Sequence, residues 1–100
     1  MENKFILKVK NKSNNHFLFK SNRYKNNPFK STLLIPYRTH FKNDHGEFYK
    51  CFLIDLKEKN SEEKITIETL SEEEIIMNFN FIKLLPDNEI KDYLEGGKQY

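Results

Sequence analysis

The sequence predicts an α+β domain, mainly an antiparallel β-sheet or small open barrel of five to six strands, with one C-terminal α-helix. Three stretches carry this expectation. Residues 33–41 alternate with a period of two, placing Leu33, Ile35, Tyr37, Thr39 and Phe41 on one side of a strand. Leu34, Pro36, Arg38, His40 and Lys42 fall on the other, largely basic side. Residues 48–56 form a second strand whose run Cys51, Phe52, Leu53, Ile54 is apolar on both faces, as in an inner strand. Near the end, Ile90, Tyr93 and Leu94 make an i, i+3, i+4 stripe, opened by Pro86 with Asp87 and Glu89 and closed by Gly96 and Gly97.

Taken in order, residues 4–10 alternate Phe5, Leu7 and Val9 with lysines and read as a strand near an edge. An Asn-rich turn leads to residues 16–20, with Phe17 and Phe19 on one face and Leu18 on the other, so that the two strands form a hairpin. Residues 21–30 read as a basic, Asn-rich loop and the most flexible internal segment. The central hairpin turns at Asn43, Asp44, His45, Gly46. A two-residue turn at His45 and Gly46 sets Tyr37 opposite Ile54; a three-residue loop ending at Gly46 sets it opposite Leu53. Residues 57–63 read as a polar connection and residues 64–70 as a further strand. Residues 71–85 carry two competing signals. Ser71 with Glu74 fits a capping box, flanked by Leu70 and Ile75 as a hydrophobic staple. Ile75, Met77, Phe79 and Phe81 nevertheless alternate, and Asn78 and Asn80 are poor helix residues, which favours a strand entered through a turn at residues 71–73. Residues 1–97 thus form one domain and residues 98–100 a frayed tail.

A chain of 100 residues buries over ~60% of its unfolded surface and needs no metal or disulfide to fold. Nine Phe and five Tyr, without Trp, do much of the filling. With Cys51 the only cysteine, no internal disulfide forms, and a reducing, cytoplasmic setting is the simplest expectation. Apolar runs stop far short of the ~20 residues of a membrane span, so no membrane association is expected. The abundance of Lys, Asn, Ile, Phe and Glu follows AT-rich coding and points to an AT-rich bacterium or its phage. Charge is unevenly distributed: eleven cations and three acids in residues 1–50 leave +8, and residues 51–100 carry −6.

Few constellations suit catalysis. His40, Asp44, His45 and Cys51 include zinc-binding residue types, but turn composition explains Asp44 and His45 without a metal. A thiol in an apolar run is expected to be inert, which argues against a nucleophilic Cys51. Tyr37, Arg38, His40 and Lys42 are residue types of a metal-independent ribonuclease, without a defined proton-transfer pair. All three glycines lie in turns or at a helix end, so there is no phosphate loop. No cofactor, metal or catalytic activity is expected.

The expectation is therefore a small non-catalytic binding protein whose basic, aromatic-interleaved N-terminal half engages an anionic partner, foremost nucleic acid. Arg23, Tyr24, Lys25, Lys30, Arg38, His40 and Lys42 are the contact residues, because cations neutralise phosphates and Tyr stacks on unpaired bases. The alternative is a phage-type inhibitor, anti-defence or anti-CRISPR-like, that blocks a host nucleic-acid-handling protein through its charged surfaces. Glu62, Glu63, Glu72, Glu73 and Glu74 are its acidic surface.

Overall fold

The computed structural model describes residues 15–86 and 88–90. Five strands form one antiparallel sheet: β1 (Asn15–Ser21), β2 (Thr32–Asn43), β3 (Gly46–Asp55), β4 (Ile65–Ser71) and β5 (Phe79–Pro86). A short helix α1 (Ser61–Lys64) precedes β4, and α2 (Glu72–Asn78) joins β4 to β5. The spatial order is β4-β3-β2-β1-β5, so β1 to β4 meander and β5 returns to pair with β1. None of the described helices is long and apolar enough to cross a membrane.

Alternation decides which side chains meet. Phe17 and Phe19 of β1, Leu34 of β2, Tyr49, Cys51 and Leu53 of β3, Leu70 of β4 and Phe79 of β5 share one core, closed by Ile75 of α2. Leu18, Leu33, Ile35, Ile54 and Leu85 form a second core, joined by Phe52, Ile65, Ile82 and Ile90. Both faces of the sheet are thus covered. Cys51 is fully buried in β3, which is paired on both sides, as its apolar run predicts. The phenol of Tyr49 is also buried and donates a 2.8 Å hydrogen bond to Glu47 Oε2. Desolvation, then the Glu47 carboxylate, holds its pKa well above the usual value of ~10.

The central hairpin departs from both expected registers. Its turn is Asp44–His45, with Asn43 opposite Gly46. Asn43 Oδ1 accepts the His45 N–H at 2.8 Å, and Gly46 takes a φ of 113°, which L side chains rarely adopt. The turn sets Phe41 opposite Phe48, and two bulges, at His40 and Tyr37, then shift the ladder, so Arg38 faces Lys50 and Pro36 faces Cys51. Pro36 falls where β2 leaves β1, whose last pair with it is Phe19 with Leu34. A proline that cannot donate to a ladder fits at that departure.

Residues 71–85 are not one strand. Ser71 caps α2: its Oγ accepts the Glu74 N–H at 3.0 Å, and Glu74 Oε1 accepts the Ser71 N–H at 3.1 Å. Leu70 and Ile75 are both buried, as a staple requires. The strand begins only at Phe79. Pro86 ends β5 instead of opening a helix; residues 88–90 are helical, and Ile90 packs on the second core. The expected strand at residues 4–10, its hairpin with β1, and the Tyr93 and Leu94 positions lie outside the described residues.

Two outcomes test this packing. Ile75→Ala should lower stability by about 2–5 kcal/mol in urea denaturation, the cost of an unfilled core site; a loss below ~0.5 kcal/mol would mean that α2 does not close the core. Above pH ~10 the unfolded chain releases the Tyr49 proton more readily than the folded one. Stability should then fall by up to ~1.4 kcal/mol per pH unit from this residue, and Tyr49→Phe should remove that share. Equal slopes for the two proteins between pH 9 and 11 would contradict the buried phenol.

Candidate anion-binding groove

The segment joining β1 to β2 is built on two asparagines. Asn22 donates its backbone N–H to Asn78 O at 2.9 Å and its Nδ2 to Met77 O at 2.7 Å. Asn27 is 3% exposed, and its Nδ2 lies 2.8 Å from Asn78 O, 3.1 Å from Asn22 O and 2.9 Å from Asn22 Oδ1. Asn27 Oδ1 accepts the Phe29 N–H at 2.8 Å. The last carbonyls of a helix have no intrahelical donor, and here the two amides supply one. The segment expected to be flexible is therefore tied to the C-terminal end of α2.

That tie fixes the backbone around Tyr24. Its N–H donates to Asn22 Oδ1 at 3.1 Å, and its carbonyl accepts the Asn27 N–H at 3.0 Å, while the side chain is 72% exposed. Beyond it, Ser31 adopts a φ of 53°, a left-handed conformation that costs a non-glycine residue roughly 1–2 kcal/mol. Ser31 O accepts the Leu56 N–H at 2.8 Å, and Thr32 Oγ1 donates to Lys30 O at 3.0 Å, which hold this turn.

The result is a groove of about 380 Å³ whose walls include Lys20, Arg23, Tyr24, Lys25, Lys30 and Lys57. Five cations line it and no carboxylate does, among the described residues. Four of the seven residues expected to meet an anion, Arg23, Tyr24, Lys25 and Lys30, come together here. Lys20 joins them from β1 and Lys57 from just beyond β3. Lys57 arrives because Asp55 Oδ1 accepts its N–H at 2.9 Å just after β3.

Arg38, His40 and Lys42 are elsewhere. They are exposed on the arm of the β2–β3 hairpin, and Arg38 alone is six residues, ~20 Å of extended chain, from Thr32. The arm carries its own aromatic rows: Tyr37 stacks on Phe52 at 4.4 Å and Phe41 on Phe48 at 4.5 Å, with His40 edge-on to Phe41 at 5.1 Å. Asp44 and His45 are exposed at its tip, away from buried Cys51. No group of three or more His, Cys, Asp or Glu among the described residues is placed to hold a metal ion.

The acidic residues do not form one surface either. Glu63 is exposed and lines a groove of about 220 Å³ with Asp55 and Glu68. Glu72 is buried, Glu74 is occupied in the capping box, and Glu73 is exposed. Carboxylates in the first turn of α2 complement the positive end of a helix. Glu62 lies in α1. No family model matches this chain, and no curated protein or solved structure matches it either.

Replacing Asn27 tests the tie. Asn27→Asp keeps the shape but turns an amide donor facing three oxygens into a further acceptor, so it should cost more stability than Asn27→Ala, which itself should lose about 1–3 kcal/mol by removing the hydrogen bonds of a buried amide. Chemical denaturation of the two variants decides it; an Asn27→Asp protein as stable as the parent would overturn the assignment.

Proposed function

We propose that this chain is a non-catalytic binding protein whose basic groove holds an anionic chain, and that the chain is nucleic acid. The observation that carries this is the convergence of Lys20, Arg23, Lys25, Lys30 and Lys57 on one concavity without a lining carboxylate. Gathering like charges is unfavourable unless something neutralises them, and a polyanion does so while releasing its own counterions. The fixed backbone of the groove adds to this, since a site that is already ordered loses less entropy on binding. Arg38, His40 and Lys42 then form a separate basic surface on the hairpin arm. The inhibitor alternative draws its support from composition alone, and a groove without affinity for nucleic acid would return to it.

Salt dependence and charge reversal test the proposal. With five phosphates neutralised, the logarithm of affinity for a mixed-sequence single strand should fall with the logarithm of salt at a slope of about −3 to −4. Arg23→Glu with Lys25→Glu should abolish binding, whereas Arg38→Glu with Lys42→Glu should reduce it much less. Exposed positions of this kind alter stability by under ~0.5 kcal/mol, so the fold should survive. Fluorescence anisotropy at ~50 mM salt, where electrostatic binding is strong, reads the outcome. No signal at micromolar protein, or loss of binding through the hairpin pair alone, would refute the groove.

A further inference from the structure

We infer that the cavity on the other side of the Arg23–Tyr24 ridge is a nucleobase subsite, so that the groove's ligand is single-stranded, with one base unstacked against Tyr24. This rests on the anionic-groove proposal and extends it from charge to base recognition. The second cavity, of about 600 Å³, shares Lys20, Arg23 and Tyr24 with the basic groove but adds Asn80 and Ile82 in place of further cations. Lys20 and Asn80 are direct cross-strand partners on the β1–β5 ladder, which contributes both residues to this second cavity. Side chains in that relation stand ~5 Å apart at Cβ, within the span of one nucleotide.

The two cavities offer different chemistry on either side of one ridge. Lys25, Lys30 and Lys57 lie on the phosphate side. The other side offers an aliphatic wall in half-buried Ile82, an amide donor and acceptor in exposed Asn80, and the Tyr24 ring. Concave sites with apolar walls and a few directed polar groups are what small planar ligands occupy, and the volume lies within the ~300–1,000 Å³ of such sites. Tyr24 is presented on a backbone fixed at both its N–H and its carbonyl, so the point from which its exposed side chain projects is set before binding. A duplex keeps its bases paired and stacked inside, where this ridge cannot reach their faces. A single strand can leave phosphates on the lysines and turn one base over the ridge onto Tyr24 and Ile82, with Asn80 at its edge.

Three probes at ~50 mM salt separate the possibilities: a mixed-sequence single strand of eight nucleotides, an abasic deoxyribose-phosphate oligomer of the same length, and a duplex. Stacking of one base should favour the base-bearing single strand over the abasic oligomer roughly 5- to 150-fold. Tyr24→Ala should bring the two affinities together by weakening only the base-bearing strand, while Tyr24→Phe, which keeps the ring, should preserve the difference. Asn80→Ala should change the ranking of homopolymeric strands without altering the salt slope. Equal binding of abasic and base-bearing oligomers, or preference for the duplex, would overturn the base subsite and leave the phosphate groove standing. If none of the three probes binds, the groove proposal falls and the base subsite with it.

Discussion

The structure depends on a short crossover. The chain leaves the sheet at one edge, β4, and must re-enter at the other, β5, with only the seven residues of α2 between them. Seven helical residues reach ~10 Å, whereas the edges of a flat five-strand sheet stand ~19 Å apart. The sheet must therefore curl around α2, and Ile75 belongs to a core that draws residues from all five strands. A helix this short is unstable alone, so both its ends need external partners. Ser71 and Glu74 supply them at the start, and Asn22 and Asn27 at the finish.

The finish of that helix governs the surface. Because Asn22 and Asn27 anchor the segment after β1 to Met77 and Asn78, the intervening Arg23, Tyr24 and Lys25 are held outward on a fixed backbone. An internal packing requirement thereby arranges the cations along the groove. Among the described residues, the cations of the first half are consequently divided, part in this groove and part on the hairpin arm, where Arg38 stands directly opposite Lys50. Like charges paired across a ladder are destabilising, and the arm tolerates them because Arg38 is exposed to solvent and Lys50 partly so.

How much was legible follows from the range of each signal. Alternation is a local property, and it correctly assigned the two faces of β1 and the inner position of β3. It could not register bulges, because an inserted residue leaves the pattern of types unchanged while displacing every partner beyond it; Tyr37 and His40 did this in β2. At residues 71–85 the alternation of Ile75, Met77, Phe79 and Phe81 was accidental, since Met77 is 60% exposed while Ile75 is buried. The capping box prevailed because its two hydrogen bonds and its staple are formed within six residues. Buried Asn27 was unreadable for the opposite reason: its acceptor, Asn78 O, lies 51 residues away, and an asparagine in a polar run has the composition of a turn. Lys57 joins the groove because its neighbour Leu56 donates its N–H to Ser31 O, a closure between positions 25 residues apart. Arg23, Tyr24, Lys25 and Lys30 are neighbours in the chain and stand together in the groove, whereas Arg38, His40 and Lys42, next in sequence, stand apart on the hairpin arm.

The central claim is that the groove between the β1–β2 connection and the end of β3 is where an anionic strand binds. Amide chemical-shift mapping by NMR, during titration with a short single-stranded oligonucleotide, tests it most directly. The account predicts saturable shifts clustered on residues 20–25, 30, 31 and 57, with smaller changes at residues 80–82 and near silence at residues 38–48. Shifts concentrated on the hairpin arm, or spread evenly over every exposed lysine, would contradict it.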